Sequence, residues 1–184
     1  KTDPDATFRH MKDDHMLNGQ LKPAYNIQHA VNSGFIVAAC VFPNPTDVMT
    51  LKPFMEQMES SLRFKFDSIV ADAGYESEEN LVYLRDKEIE AYIKPSNYEQ
   101  LGTKKFAREI GRKENMQYDK DGDYYICHNG KKIVKTGVKT RKTSSGYLLE
   151  ETHYECKSCG GCPYRGKCLA GKNWKKPLEK RHKK

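Results

Sequence analysis

The sequence predicts an α/β fold in its first half and a small, cysteine-rich β unit in its second. Three observations predict it. Between residues 25 and 95, apolar stretches of strand length alternate with stretches of helical period. Aromatic runs flanked by turn residues occupy 117–155. Four cysteines crowd into ECKSCGGCPYRGKC at 155–168.

Residues 1–24 hold no sustained period and are broken by Pro4, Asn18-Gly19 and Pro23, so a loop or arm is expected there. Tyr25, Ile27, His29 and Val31 alternate with their neighbours at strand period. After the turn Asn32-Ser33-Gly34 comes FIVAACVF, Phe35 to Phe42, nearly all apolar; it is expected to be buried on both faces and to close an antiparallel hairpin. Pro43 and Pro45 end it. Asp47 is placed to cap a helix in which Val48, Leu51, Met55, Met58 and Leu62 recur at three- and four-residue steps. Methionine at that spacing is ordinary core packing. Ser68-Ile69-Val70-Ala71 reads as a short strand ending at Asp72, with Ala73-Gly74-Tyr75 as its exit. Ser77 caps a second helix, with Leu81, Val82 and Leu84 expected to face inward, and Ala91-Tyr92-Ile93 is a last strand before Pro95. The order β-β-α-β-α-β implies a layered sandwich with its later strands parallel.

The expected organisation is an arm over 1–24, an α/β core over 25–95, a basic and weakly helical connector over 96–116, a cysteine-rich insert over 117–172 and a basic tail over 173–184. The insert carries two hairpin candidates, Tyr124-Tyr125-Ile126 and Gly146-Tyr147-Leu148-Leu149. So small a unit buries too little to fold by itself, and a metal staple would make up the deficit. The chain starts at Lys1 and stops in KKPLEKRHKK; both ends read as cut, so a longer parent protein is expected. Its longest apolar run, Phe35 to Phe42, is too short to span a membrane, and an intracellular setting is expected.

Charge is split between the halves. Residues 1–100 carry 10 Lys+Arg against 16 Asp+Glu, while 101–184 carry 22 against 9. A half with net charge +13 points to a polyanion, most simply nucleic acid. Lys104, Lys105, Arg108, Arg112, Lys131, Lys132, Arg165 and Lys167 are the candidate contacts, with Tyr124, Tyr125, Tyr147 and Trp174 available for stacking on bases. The plainer alternative is a solvated, solubilising surface.

The spacing C-x2-C-x2-C-x5-C, at Cys156, Cys159, Cys162 and Cys168, lets neighbouring thiolates turn toward one centre, and nearby Lys and Arg favour thiolate over thiol. Zinc is the default for four thiolates, and a cubane iron–sulfur cluster is the alternative. Disulfides are the competing use of such a cluster. Cys127, just before the turn signal Asn129-Gly130, is a fifth candidate ligand, so either Cys127 or Cys156 completes the set. His128 and His153 are possible substitutes, although a histidine beside a strand is more often just exposed.

Asp72 is the most informative acid, because ligands of open α/β sheets bind at the carboxyl ends of strands. A turn aspartate is the plain alternative. The ordered set KTDPDA, Ala24-Tyr25-Asn26-Ile27-Gln28-His29-Ala30-Val31, Thr46-Asp47, Ala71-Asp72-Ala73-Gly74-Tyr75-Glu76-Ser77 with Asn80, and Ile93-Lys94-Pro95 resembles the DDE transposases of bacterial insertion sequences. The chain looks like the subgroup with a cysteine-rich insert, through Tyr125 to Lys131 and Tyr154 to Cys168. The resemblance implies a partial RNase H-like core, a mixed sheet flanked by helices, with the insert as a cysteine-rich β-hairpin. In that family three carboxylates bind two Mg²⁺ ions for in-line attack on a phosphodiester. The match puts the second acid at Asp72. The first normally lies upstream of the DPDA segment and the third, a glutamate on a helix, beyond the insert. Asp5 and Asp47 match other family positions, and Glu76, Glu78 and Glu79 follow Asp72 too closely to be the third acid. The implied partners are DNA, as transposon ends and target, and a second copy in a homodimer; the implied place is the bacterial cytoplasm, at the nucleoid. A non-catalytic, metal-stapled DNA-binding module, or a decayed transposase remnant, is the alternative function.

Overall fold

The computed structural model describes residues 3–10 and 15–169. The expected tail 173–184, with Trp174, lies outside the described residues. The chain divides into two compact units, Lys1–Ser96 and Asn97–Lys184. The result is a mixed α/β chain with several sheets and helices.

In the first unit the stretch expected to be a loop or arm contains an antiparallel pair, β1 (Thr7–His10) and β2 (Leu21–Ala24). Local interactions tie its base: the Asp3 carboxylate accepts from the Asp5 and Ala6 amides and, at 2.8 Å, from the Tyr25 hydroxyl. Pro23 fits because, among the described residues, this sheet has two strands and each is therefore an edge strand.

The predicted hairpin forms as β3 (Asn26–Asn32) and β4 (Phe35–Phe42), antiparallel, with Asn32 opposite Phe35. Ser33 and Gly34 both take positive φ, 50° and 83°, as a two-residue turn matched to strand twist requires. β4 is not buried on both faces. Cys40 is buried, but its neighbour Val41 faces away from the core and is exposed, and Phe35 and Ile36, at the turn end of the strand, are both exposed. On β3 the apolar Ile27 and Val31 face out, while Asn26 and Gln28 are buried.

Helix α1 (Leu51–Leu62) and helix α2 (Glu78–Asp86) supply the core with Leu51, Met55, Met58 and Leu84, joined by Ile89. Burying each such side chain contributes roughly 1.5–3 kcal/mol. The parallel pair β5 (Ser68–Ala71) and β6 (Glu90–Ile93) lays Ile69, Ala91 and Ile93 on this core, and the hairpin adds Ala30, Val37 and Ala38. Two expectations about the helices are corrected. Asp47 does not cap α1. It opens a 3-10 turn, Asp47–Met49, and buried Thr50 takes the N-cap position, its hydroxyl donating to the Asp47 carbonyl at 2.9 Å. On α2, Ser77 does cap, accepting from the Asn80 amide at 3.1 Å, but Leu81 is exposed and Asn80 takes a buried place beside Leu84.

The second unit begins with two short helices, α3 (Tyr98–Leu101) and α4 (Lys104–Ala107). The two hairpin candidates then belong to one antiparallel sheet in chain order: β7 (Gln117–Asp119), β8 (Tyr124–Ile126), β9 (Lys132–Lys142) and β10 (Leu148–Glu155). A short helix α5 (Arg165–Cys168) closes the cysteine segment. Tyr125 packs between Tyr118 and Tyr154, with ring centroids 4.7 and 5.0 Å away. Asp123 accepts from the Tyr154 hydroxyl at 2.5 Å, the Tyr118 hydroxyl at 2.7 Å and the Lys135 ammonium at 3.0 Å. Those donors, Tyr154 foremost, hold its carboxyl down at about 2. No helix among the described residues is long and apolar enough to cross a membrane.

Candidate active site

Asp72 stands directly after β5, exposed, at the carboxyl end of the parallel pair. One of its oxygens does what a turn aspartate does: Oδ1 accepts from the Gly74 amide at 2.7 Å and so starts the 3-10 turn Ala73–Tyr75. The carboxylate is thus oriented through one oxygen.

Asp47 reaches the same turn. A side-chain carbon built on Gly74 would lie 2.8 Å from Asp47 Oδ2 and 2.9 Å from Asp72 Oδ1. Asp47 Oδ1 is held by two carboxamides, accepting from Asn26 Nδ2 at 2.6 Å and from Gln28 Nε2 at 2.9 Å. Gln28 Nε2 also donates to Asn26 Oδ1 at 2.8 Å, which closes a triangle. Asn80, only 2% exposed, joins the two 3-10 turns: its Nδ2 donates to the Val48 carbonyl at 2.9 Å and to the Tyr75 carbonyl at 2.8 Å. Burial, and then the charges of Asp47 and Asp72, push the Tyr75 hydroxyl up to about 12. Glu76 is occupied elsewhere, its Oε2 accepting from the Ser96 amide at 2.6 Å.

Asp72 stands out in the sequence by its place at a strand end, whereas Asn26, Gln28 and Asn80 have no role assigned from it. A signal was available. Two carboxamides alternating through a strand, and one in the first turn of a helix beside the apolar stripe, mark buried polar groups that need partners.

Asp72 offers the hard oxygen donor that a divalent cation takes, as one ligand among several. Among the described residues, no group of three or more His, Cys, Asp or Glu side chains is arranged to hold a metal ion. The cysteines are likewise not gathered into such a group, although none of Cys40, Cys127, Cys156, Cys159, Cys162 and Cys168 is in a disulfide. Their chemistry suits a soft metal, but the described geometry does not collect three of them. The hairpin tip does fold against the cysteine segment. Asn129 Nδ2 lies 3.7 Å from Cys162 Sγ, Lys131 Nζ donates to the Ser158 carbonyl at 2.6 Å, and the His128 and Tyr164 rings meet edge to face at 4.7 Å.

The candidate DNA contacts divide. Lys104, Lys105 and Arg108, on and just after α4, are exposed, as is Lys167. Others have internal work. Arg112 pairs with Glu109 at 2.6 Å and lies 5.1 Å over the Phe106 ring, Lys131 holds the cysteine loop, Lys132 sits 4.0 Å over the Tyr124 ring, and Arg165 is half-buried. Stacking by Tyr124 and Tyr125 is not supported: Tyr124 donates to Asp119 at 2.8 Å under Lys132, and Tyr125 is packed among tyrosines. Tyr147 is half-buried beside the turn after β9.

Residues 2–157 match the family model described as the transposase DDE domain. No curated protein and no solved structure matches the chain. The matched span takes in Asp47, Asp72, Cys127 and Cys156, and it ends before Cys159.

Proposed function

Because the chain belongs to the transposase DDE domain family, we propose that it is the central part of a transposase catalytic domain, built on a partial RNase H-like core and working in the complete bacterial protein as a homodimer on DNA. The observation that carries this reading is the place of Asp72. Inside the matched span, an exposed carboxylate follows a strand of a parallel pair, with one oxygen fixed by a backbone amide.

Asp72 is the carboxylate we assign to Mg²⁺. Bound magnesium supplies charge neutralisation at the phosphodiester and lowers the pKa of an attacking water or 3′-hydroxyl. What the chain itself contributes is orientation: the Gly74 amide fixes Asp72 Oδ1. The family's other two acids are not among residues 1–184 in our reading, so this chain alone should show no Mg²⁺-dependent nicking. The exposed cations of α4, with Lys167, are assigned to the DNA backbone; binding by residues 101–184 should be largely independent of sequence and should weaken steeply with salt. The thiols of the second unit are assigned to a structural metal, zinc before an iron–sulfur cluster.

The test is Asp72→Asn in the complete transposase. Strand transfer should fall by on the order of a thousandfold, the several kcal/mol a lost metal contact forfeits, with DNA affinity and folding nearly unchanged. Transposition at the original rate would remove the assignment.

A further inference from the structure

We propose that Asp47 is a positioning residue for the Asp72 site: anchored by the carboxamides of Asn26 and Gln28, its carboxylate walls the Ala73–Tyr75 turn, so that the Gly74 amide stays on Asp72 Oδ1 and the other Asp72 oxygen is left for a ligand. The proposal rests on the reading of Asp72 given above.

The anchoring is over-determined. Asn26 and Gln28 occupy buried positions of β3, Gln28 being 4% exposed, and their amide protons have left water. Buried donors without acceptors cost about 1–3 kcal/mol each, so an acceptor at position 47 is required. Asp47 Oδ1 takes a bond from each carboxamide, and the bond between Gln28 and Asn26 keeps both amides in one orientation. With Oδ1 committed there, the carboxylate has little freedom, and Oδ2 comes to rest against Gly74.

Gly74 is where positional control is needed. Glycine has the most backbone freedom of any residue, and its amide is the donor to Asp72 Oδ1 at 2.7 Å. Besides the turn's own backbone bonds, two side chains from elsewhere restrain it. Asn80 bonds the carbonyls of Val48 and Tyr75, which ties the backbone after Asp47 to the turn after Asp72. Asp47 Oδ2 closes the space beside the Gly74 α-carbon. The chain of links runs from Asn26 and Gln28 through Asp47 and Gly74 to Asp72: its first and last links are hydrogen bonds, and between Asp47 and Gly74 lies a space too small for one added side-chain carbon. The raised Tyr75 hydroxyl agrees with both carboxylates lying close by.

The experiment reads the Gly74 amide by ¹⁵N NMR of the full chain, beside strand cleavage by the complete transposase. In Asp47→Ala, the Gly74 amide proton should exchange at least about tenfold faster while the amides of α1 and α2 keep their protection. Cleavage should fall in kcat with DNA affinity unchanged. Asp47→Asn keeps an acceptor for both carboxamides and the same volume, so it should restore Gly74 protection and most of the activity. If Asp47→Ala does not fold, Gln28→Met, which removes one of the two anchors, should still raise Gly74 exchange several-fold. An unmoved Gly74 amide overturns the proposal. So does an Asp47→Asn protein that protects Gly74 yet cleaves no better than Asp47→Ala, since Asp47 would then act on the ligand itself. Failure of the Asp72 reading is separate: it shows as full activity in Asp72→Asn, whatever Gly74 does.

Discussion

Asp47 Oδ2 and Asp72 Oδ1 converge on Gly74, each within 3 Å of the point where a side chain at that residue would begin, at 2.8 and 2.9 Å. One carboxylate comes from the segment between β4 and α1, the other from the end of β5. The space between them suits a residue with no side chain.

Gly74→Ala therefore forces one carboxylate to move. Asp47 is tethered by two bonds and Asp72 by one, so Asp72 should yield. The expected cost in stability is small, about 1–3 kcal/mol for a single added methyl, while strand transfer should drop far more than that loss of folded protein explains. Thermal melting and a transfer assay on the same preparation check this. A variant that loses stability and activity in proportion would show that the notch has no bearing on Asp72.

Gly111 makes a similar demand in the second unit. A carbon added there would run into the backbone carbonyl of Cys168. Backbone cannot swing aside as a side chain can, so Gly111→Ala should push the end of the cysteine segment off the connector. We expect destabilisation of about 1–3 kcal/mol in urea unfolding and faster amide exchange at Cys168 and Leu169. Unchanged exchange at Cys168 would contradict the packing.

The Asp123 hub predicts an acid limb. Its carboxyl is held at about 2, first by the Tyr154 hydroxyl, then by the Tyr118 hydroxyl and Lys135. An unfolded aspartate titrates near 3.9. The folded value is the lower one, so the contribution is fully present above about pH 4 and is lost as pH falls toward 2. Melting of residues 97–184 within the whole chain, followed by amide signals, should weaken through that window. Asp123→Asn should flatten the slope there, and an equal slope in both proteins would refute the assignment.

Much of the first unit was legible. Met55, Met58 and Leu84 gave the helix faces, and Ile69 to Ala71 with Ala91 to Ile93 gave the parallel pair. What escaped depends on partners distant in sequence. Thr7 pairs with Ala24 across a stretch that no short-range pattern joins. The alternation in β3 announced a strand, but its apolar residues face out because Asn26 and Gln28 turn inward to Asp47, about 20 residues on. Asp47 looked like a helix cap for the same reason: the residue type is right, and only the fold reveals the carboxamides waiting for it. Asp72 was legible because a strand end is a local feature. The tyrosines of β8 read as stacking surfaces because a sequence does not show that Tyr118 and Tyr154 enclose Tyr125.

The thiols supply a further prediction. Protein purified without oxygen should carry about one zinc per chain, and chelation should loosen β8, β9 and the cysteine loop together, because the hairpin tip is docked there through Asn129 and Lys131. A brown protein with iron and sulfide would replace zinc by a cluster. Metal-free protein with paired cysteines would remove the site.

Contact between Asp72 and the catalytic metal can be read by changing the ligand and the metal together. Asp72→Cys in the complete transposase replaces a hard oxygen with a soft sulfur. Magnesium accepts sulfur poorly and manganese better. Strand transfer should stay near background in Mg²⁺ and be clearly restored in Mn²⁺, with DNA affinity equal in both. Activity equal to the unaltered protein in Mg²⁺, or no restoration in Mn²⁺ by folded and DNA-bound protein, would contradict that contact.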